Sequence, residues 1–242
     1  TGSVNTEQYN GTAWTEVANL NVAVTSASIS AHSPNANTLN FGGSPDTDKT
    51  ESWDNSSWTE VANLNSGRLG GAGFGESNTS AGNAGGELTT NTELYNGSSW
   101  TVGTSTPGVE HLWIATAGKS NTDVLAWGGK TYSSGYTSYS TCYLWDGSSW
   151  TTKNQTTVAA RSNSGKACSS TNAILNFGGD PETATEIWDG TSWTAGNALP
   201  VGQASAGSNG SGPSSTAAWY AGGSAPSITS PADEGWTGMQ IY

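Results

Sequence analysis

Positive charge is the scarcest property of this chain of 242 residues: seven Lys and Arg stand against nineteen Asp and Glu, a formal net charge of −12, and nowhere do the basic residues form a run. A phosphate-tracking groove or an anionic membrane surface would be repelled by such a field, so nucleic acid is not an expected partner. Nor is membrane insertion, because no apolar stretch approaches the roughly 18 residues needed to cross a bilayer. Methionine occurs once, at Met239, and the first residues already read as the inside of a repeat; the chain is expected to be a processed or excised piece of a longer product. Cysteine occurs twice, at Cys142 and Cys168, too few for a disulfide framework or a four-cysteine zinc site; one bridge or none is possible. The two histidines, His32 and His111, are far apart and lack a His-x-x-x-His spacing, so no metal and no cofactor are expected. No Gly-x-Ser-x-Gly elbow occurs, and no phosphate loop ending in Lys.

Apolar residues are also few, at 33%, where about 45–50% is usual. Disorder is nonetheless not expected, since disordered chains are highly charged and poor in aromatics, whereas this one is 11% charged and 10% aromatic. The 33 glycines and 12 tryptophans account for the balance. They recur in order. A segment of Glu, any residue, aromatic, Asn/Asp, Gly, Ser/Thr, small residue and Trp is found at Glu7–Trp14, Glu51–Trp58, Glu93–Trp100, Tyr143–Trp150 and Glu186–Trp193, with a partial copy at Glu234–Gly238. The closing tryptophans lie 44, 42, 50 and 43 residues apart, a period that accommodates four short strands and points to a solenoid or propeller.

Paired glycines form a second mark, at 42–43, 85–86, 128–129, 178–179 and 222–223. Most follow a short apolar run such as Leu39–Phe41 or Ile174–Phe177, which reads as a strand ending at a bend that glycine tolerates best. The weakest version is residues 81–84, Ala-Gly-Asn-Ala. The Asn-Gly and Asp-Gly pairs read as hairpin turns with positive φ at both central residues. Each unit is thus expected to hold a small-residue strand (for instance 70–75 or 164–168), the strand before Gly-Gly, the strand carrying Glu-x-aromatic, and a strand opened by Trp. Small residues in the first strand suit a crowded hub, and Trp suits the spaces between sheets.

These marks resemble the kelch repeat, with its diglycine after the second strand and its Tyr-turn-Trp between the third and fourth; here the interval from Tyr9 to Trp14 is shorter than usual. The resemblance covers essentially the whole chain and implies an all-β, five-bladed kelch-like β-propeller of four-stranded antiparallel blades. Its single domain would divide into blades at about 21–64, 65–106, 107–157, 158–199 and 200–242, with N-terminal strands in 1–20 completing the C-terminal blade and closing the ring. Glu7–Tyr9 and Glu234–Trp236 compete for that blade's third strand. The wording of the units also resembles kelch-like arrays of virion proteins from tailed aquatic phages, which implies a place on the virion surface or outside the cell.

Departures from the repeat supply the candidate site. The long interval of 50 residues places Tyr132, Tyr136 and Tyr139 among Ser, Thr and Gly after the third diglycine, a composition suited to stacking on sugar rings or to extending a hairpin. Seventeen residues before each diglycine stand Thr25, Arg68, His111, Arg161 and Ser205; Arg68 and Arg161 are the only arginines. They either bond loop carbonyls or form a small cationic ring able to hold a carboxylate or sulfate. Trp113 breaks the small-residue rule of its strand and is a channel plug or a stacking platform. The repeated glutamates hold equivalent places in successive units, too far apart for the roughly 5–10 Å of a glycosidase pair, and are expected to bond at strand edges or between blades. The expected function is non-catalytic: recognition of a surface glycan, or decoration of a virion. The alternatives are a kelch-type sugar mutarotase or lyase using Arg68, His111 and Arg161, and a scaffold for contacts with other virion proteins.

Overall fold

The computed structural model describes residues 2–30, 36–45, 47–87, 89–109, 111–131, 137–158, 165–179, 183–201, 210–220 and 240–241. Their regular structure consists of β-strands. An N-terminal hairpin, β1 (Glu7–Tyr9) and β2 (Trp14–Glu16), is a two-stranded sheet. Four sheets of four antiparallel strands follow in chain order: β3 (Ser28–Ile29), β4 (Leu39–Phe41), β5 (Thr50–Trp53) and β6 (Trp58–Glu60); β7 (Ala72–Ser77), β8 (Ser80–Ala84), β9 (Thr92–Tyr95) and β10 (Trp100–Val102); β11 (Ala115–Ser120), β12 (Asp123–Trp127), β13 (Cys142–Trp145) and β14 (Trp150–Lys153); and β15 (Gly165–Ser170), β16 (Ala173–Phe177), β17 (Thr185–Trp188) and β18 (Trp193–Ala195). A three-stranded sheet, β19 (Gly210–Ser214), β20 (Ala217–Tyr220) and β21 (Gln240–Ile241), comes last. The arrangement is propeller-like.

The chain forms two compact units. The first holds residues 1–112 with 119–123 and 146–150, and the second holds 113–118, 124–145 and 151–242. Each has its own apolar core. In the first, Leu39, Phe41, Leu64, Ala81, Tyr95 and Trp100 pack together; in the second, Leu125, Trp127, Cys142, Cys168, Ile174, Trp188 and Trp193 do so. Neither cysteine is in a disulfide and both are buried, and burial pushes the Cys142 thiol up to about 12.

The hairpin turns differ from the expectation in one respect. Tyr9 pairs with Trp14, Trp53 with Trp58, Tyr95 with Trp100 and Trp188 with Trp193, so each loop has four residues, and only its second carries positive φ: Gly11, Asn55, Gly97, Gly147 and Gly190. The side chain of the first loop residue does the rest. One carboxylate or amide oxygen of Asn10, Asp54, Asn96, Asp146 and Asp189 accepts from the backbone N–H groups two and three residues on, at 2.8–3.0 Å. Such an Asx turn closes the loop without a second left-handed residue.

The weak run at residues 81–84 forms β8 all the same. Gly82 is required there because a Cβ would run into the Phe74 ring of β7. In the last sheet Gln240–Ile241 pairs with β20, and among the described residues β1 and β2 pair with each other. Pairing with a segment 20 residues away closes a far shorter loop, at lower entropic cost, than pairing with one about 200 residues away. Glu234–Trp236 lies outside the described residues.

Candidate functional site

The bends that end β4, β8, β12 and β16 carry positive φ at both glycines, 62–72° at the first and 89–117° at the second. That conformation turns the second N–H toward the entry of the next sheet. Gly43 donates to the Arg68 carbonyl at 2.9 Å and Gly86 to the His111 carbonyl at 3.0 Å. Arg68 and His111 are therefore joints between successive repeats through their backbones, although one bears a guanidinium and the other an imidazole.

Arg68 is 1% exposed and its side chain is fully engaged. Nε donates to the Ser66 carbonyl at 3.3 Å, Nη1 to the carbonyls of Gly85 (3.1 Å) and Asn91 (2.8 Å), and Nη2 pairs with the Glu93 carboxylate. Of the two roles expected for Arg68, this is the carbonyl-bonding one. His111 is also buried, at 1%. Trp113 is half-buried and holds positive φ (53°), a conformation rare for so bulky a residue. Arg161, Tyr132 and Tyr136 lie outside the described residues, as does His32.

Three of the repeated glutamates bond to other segments. Glu51 accepts from Asn21 N and Nδ2 at 2.8 and 2.7 Å and from Val22 N at 3.0 Å; Glu93 accepts from Asn65 N and Nδ2 at 2.7 and 2.8 Å; Glu186 accepts from Thr157 N and Oγ1 at 2.5 and 2.6 Å and from Val158 N at 3.1 Å. All three are buried, at 0–2% exposure. Tyr143 takes this place in the third sheet. Its cross-strand partner there is Ala126, where the other sheets pair Asn40, Asn83 and Asn176 with the glutamate. Asn83 and Asn176, both fully buried with neither amide atom bonded to protein, were not visible to sequence reasoning. An Asn ten or eleven residues before the Glu in three repeats was the available signal.

After Gly129 the chain runs as an extended hairpin. Lys130 bridges Ser138, Thr131 N donates to the Thr137 carbonyl at 2.9 Å, and Tyr139 N donates to the Gly129 carbonyl at 3.0 Å. Tyr139 is half-buried at its base. The Lys130 ammonium is held below its usual value by desolvation. Tyr132 and Tyr136 belong in sequence to the connection this hairpin carries. Among the described residues no group of three or more His, Cys, Asp or Glu could hold a metal ion.

The backbone path has known counterparts. Similar folds occur in 234 chains of solved structures. One of them, described as "Structure of YjhT", superposes with a TM-score of 0.73 over 93% of this chain and 85% of that one, at 13% identity. This likeness establishes a shared propeller-like all-β fold. No protein-family model matches the sequence, and no curated protein matches it.

Proposed function

We propose that the chain is a non-catalytic binding or structural module: a five-bladed kelch-like β-propeller carried at the surface of a phage particle, where it recognises a host-surface glycan or decorates the capsid or tail. The observation that carries this reading is a contrast. Arg68, Glu51, Glu93 and Glu186 are buried and engaged with neighbouring segments, whereas the sequence after Gly129, in the longest of the repeat intervals, holds Tyr132, Tyr136 and Tyr139 among Ser, Thr and Gly. Aromatic rings among Ser, Thr and Gly offer stacking area at low entropic cost with adaptable hydrogen bonding. The virion setting rests on the resemblance of the repeat wording. A catalytic set of Arg68, His111 and Arg161 has less support, since two of the three are buried at 1% exposure. A glycan array and a virion-binding assay, run on the wild type and on a triple variant with alanine at Tyr132, Tyr136 and Tyr139, test the reading. Binding by the wild type that the triple variant loses is expected; unchanged binding assigns recognition elsewhere.

A further inference from the structure

The hairpin β1–β2 carries the same cross-strand aromatic pair as the later hairpins, but in the open. The rings of Tyr9 and Trp14 have centroids 5.3 Å apart, as do those of Trp53 and Trp58 and those of Trp188 and Trp193. Tyr95 and Trp100 are 2% and 6% exposed and Trp188 and Trp193 are 1% and 5% exposed, whereas Tyr9 is 45% and Trp14 67% exposed.

Two of these pairs, both in the first unit, border one cavity. Tyr9, Trp14, Trp53 and Trp58 line an open pocket of about 280 Å³ together with Glu7. Its two walls, β1–β2 and β5–β6, are tied to each other by side chains: Trp58 Nε1 donates to Thr6 Oγ1 at 3.1 Å, and Gln8 Nε2 donates to Asn55 Oδ1 at 3.2 Å. The pocket is thus formed before a ligand arrives. Strand alternation puts Glu7 and Glu16, opposite one another on β1 and β2, on the same face of the hairpin as Tyr9 and Trp14. The volume lies just below the roughly 300–1,000 Å³ of ordinary small-molecule sites and suits a compact head group.

We propose that this pocket binds a quaternary or methylated ammonium group. The negative faces of aromatic rings attract a cation, those of Trp most strongly. The Glu7 carboxylate adds Coulombic attraction at the wall, and a net charge of −12 draws cations to the protein and repels anions. Methyl groups on the nitrogen suit such a lining: they spread the charge over an apolar surface that packs on the rings by dispersion, whereas a primary ammonium is compact and holds its water strongly. The site goes beyond the glycan reading and does not depend on it, since the segment after Gly129 belongs to the second unit.

The test is a titration of the full chain with choline, followed by the proton NMR shifts of its N-methyl groups, beside the neutral carbon analogue in which tert-butyl replaces trimethylammonium. Saturable binding with upfield-shifted N-methyl signals is expected, about tenfold or more tighter than binding of the analogue. Trp14→Ala should weaken choline binding about tenfold. Trp14→Phe keeps a ring on the hairpin and should bind at an intermediate strength, and Glu7→Gln should cost a smaller factor that shrinks as salt is raised. Absence of saturation by the wild type at millimolar choline, equal affinity for the neutral analogue, or unchanged affinity in Trp14→Ala and Trp14→Phe overturns the inference. The variant with alanine at Tyr132, Tyr136 and Tyr139 should bind choline as the wild type does; loss of choline binding there moves the site to the second unit and also overturns it. Failure of this site and failure of the glycan reading are therefore read from different ligands and different variants.

Discussion

Removing the Arg68 side chain should be among the most damaging single changes in the first unit, and the structure sets the size of the effect. Its guanidinium is buried against Oε1 of the Glu93 carboxylate, whose Oε2 accepts from Asn65 N and Nδ2. Taking away one partner of a buried ion pair costs about 3–5 kcal/mol, chiefly because the other charge is stranded. The Gly85 carbonyl also loses its donor, at about 1–3 kcal/mol for a buried group left unmade. These contributions overlap, so Arg68→Ala should cost about 4–6 kcal/mol, a large part of the roughly 5–15 kcal/mol that stabilises an ordinary domain. Urea unfolding followed by tryptophan fluorescence measures it. Adding Glu93→Gln removes the stranded charge while keeping an acceptor for Asn65, so the double variant should recover part of the loss. A cost below about 1 kcal/mol for Arg68→Ala, or no recovery in the double variant, would refute the reasoning and return Arg68 to the list of ligand-binding candidates.

Two further outcomes follow from the local geometry. Side-chain and backbone hydrogen bonds from Ser56 and Ser57 lower the Asp54 carboxyl from 3.8 to about 2; because the folded value is the lower one, its contribution to stability is present above about 3.8 and fades as pH falls towards 2. An NMR pH titration should give a midpoint near 2, and a midpoint near 3.8 would mean the Asx turn is not formed in solution. Gly73→Ala would drive a Cβ into the Ile29 carbonyl of the neighbouring sheet; a loss of about 1–3 kcal/mol is expected, and a neutral result in thermal unfolding would show that β3 and β7 do not approach so closely.

Much of this fold is written in short-range pattern. The Asx-Gly-Ser-Ser-Trp hairpins and the strands ending in diglycine are set by residues within about ten positions of one another, and β4, β8, β12 and β16 end where the glycines require. What the pattern concealed is longer in range. The glutamates bond to segments 25–30 residues away, and no local rule names the partner. A clue was present in the duplicated Val-Ala-Asn-Leu-Asn at 17–21 and 61–65, whose last asparagines are the donors to Glu51 and Glu93. The role of Arg68 was ambiguous for the same reason: a lone arginine in an acidic chain looks the same in sequence whether it faces solvent or a buried carboxylate. Only burial separates the two. The turns were recognisable as turns, but their single positive φ depends on a side-chain oxygen bonding forward, which the Asn-Gly dipeptide alone does not disclose.

The most direct test of the central claim, that the framework's charged groups hold the sheets together while recognition falls to the tyrosine-bearing hairpin after Gly129, is a comparison of ligand affinity across three proteins. Calorimetric titration of a glycan selected on the array would be run against the wild type, the Tyr132, Tyr136, Tyr139 triple alanine variant, and a folded Arg68→Met, Glu93→Gln double variant. The account predicts binding in the first and third and its loss in the second. Binding that survives in the triple variant and disappears when Arg68 is replaced would contradict it.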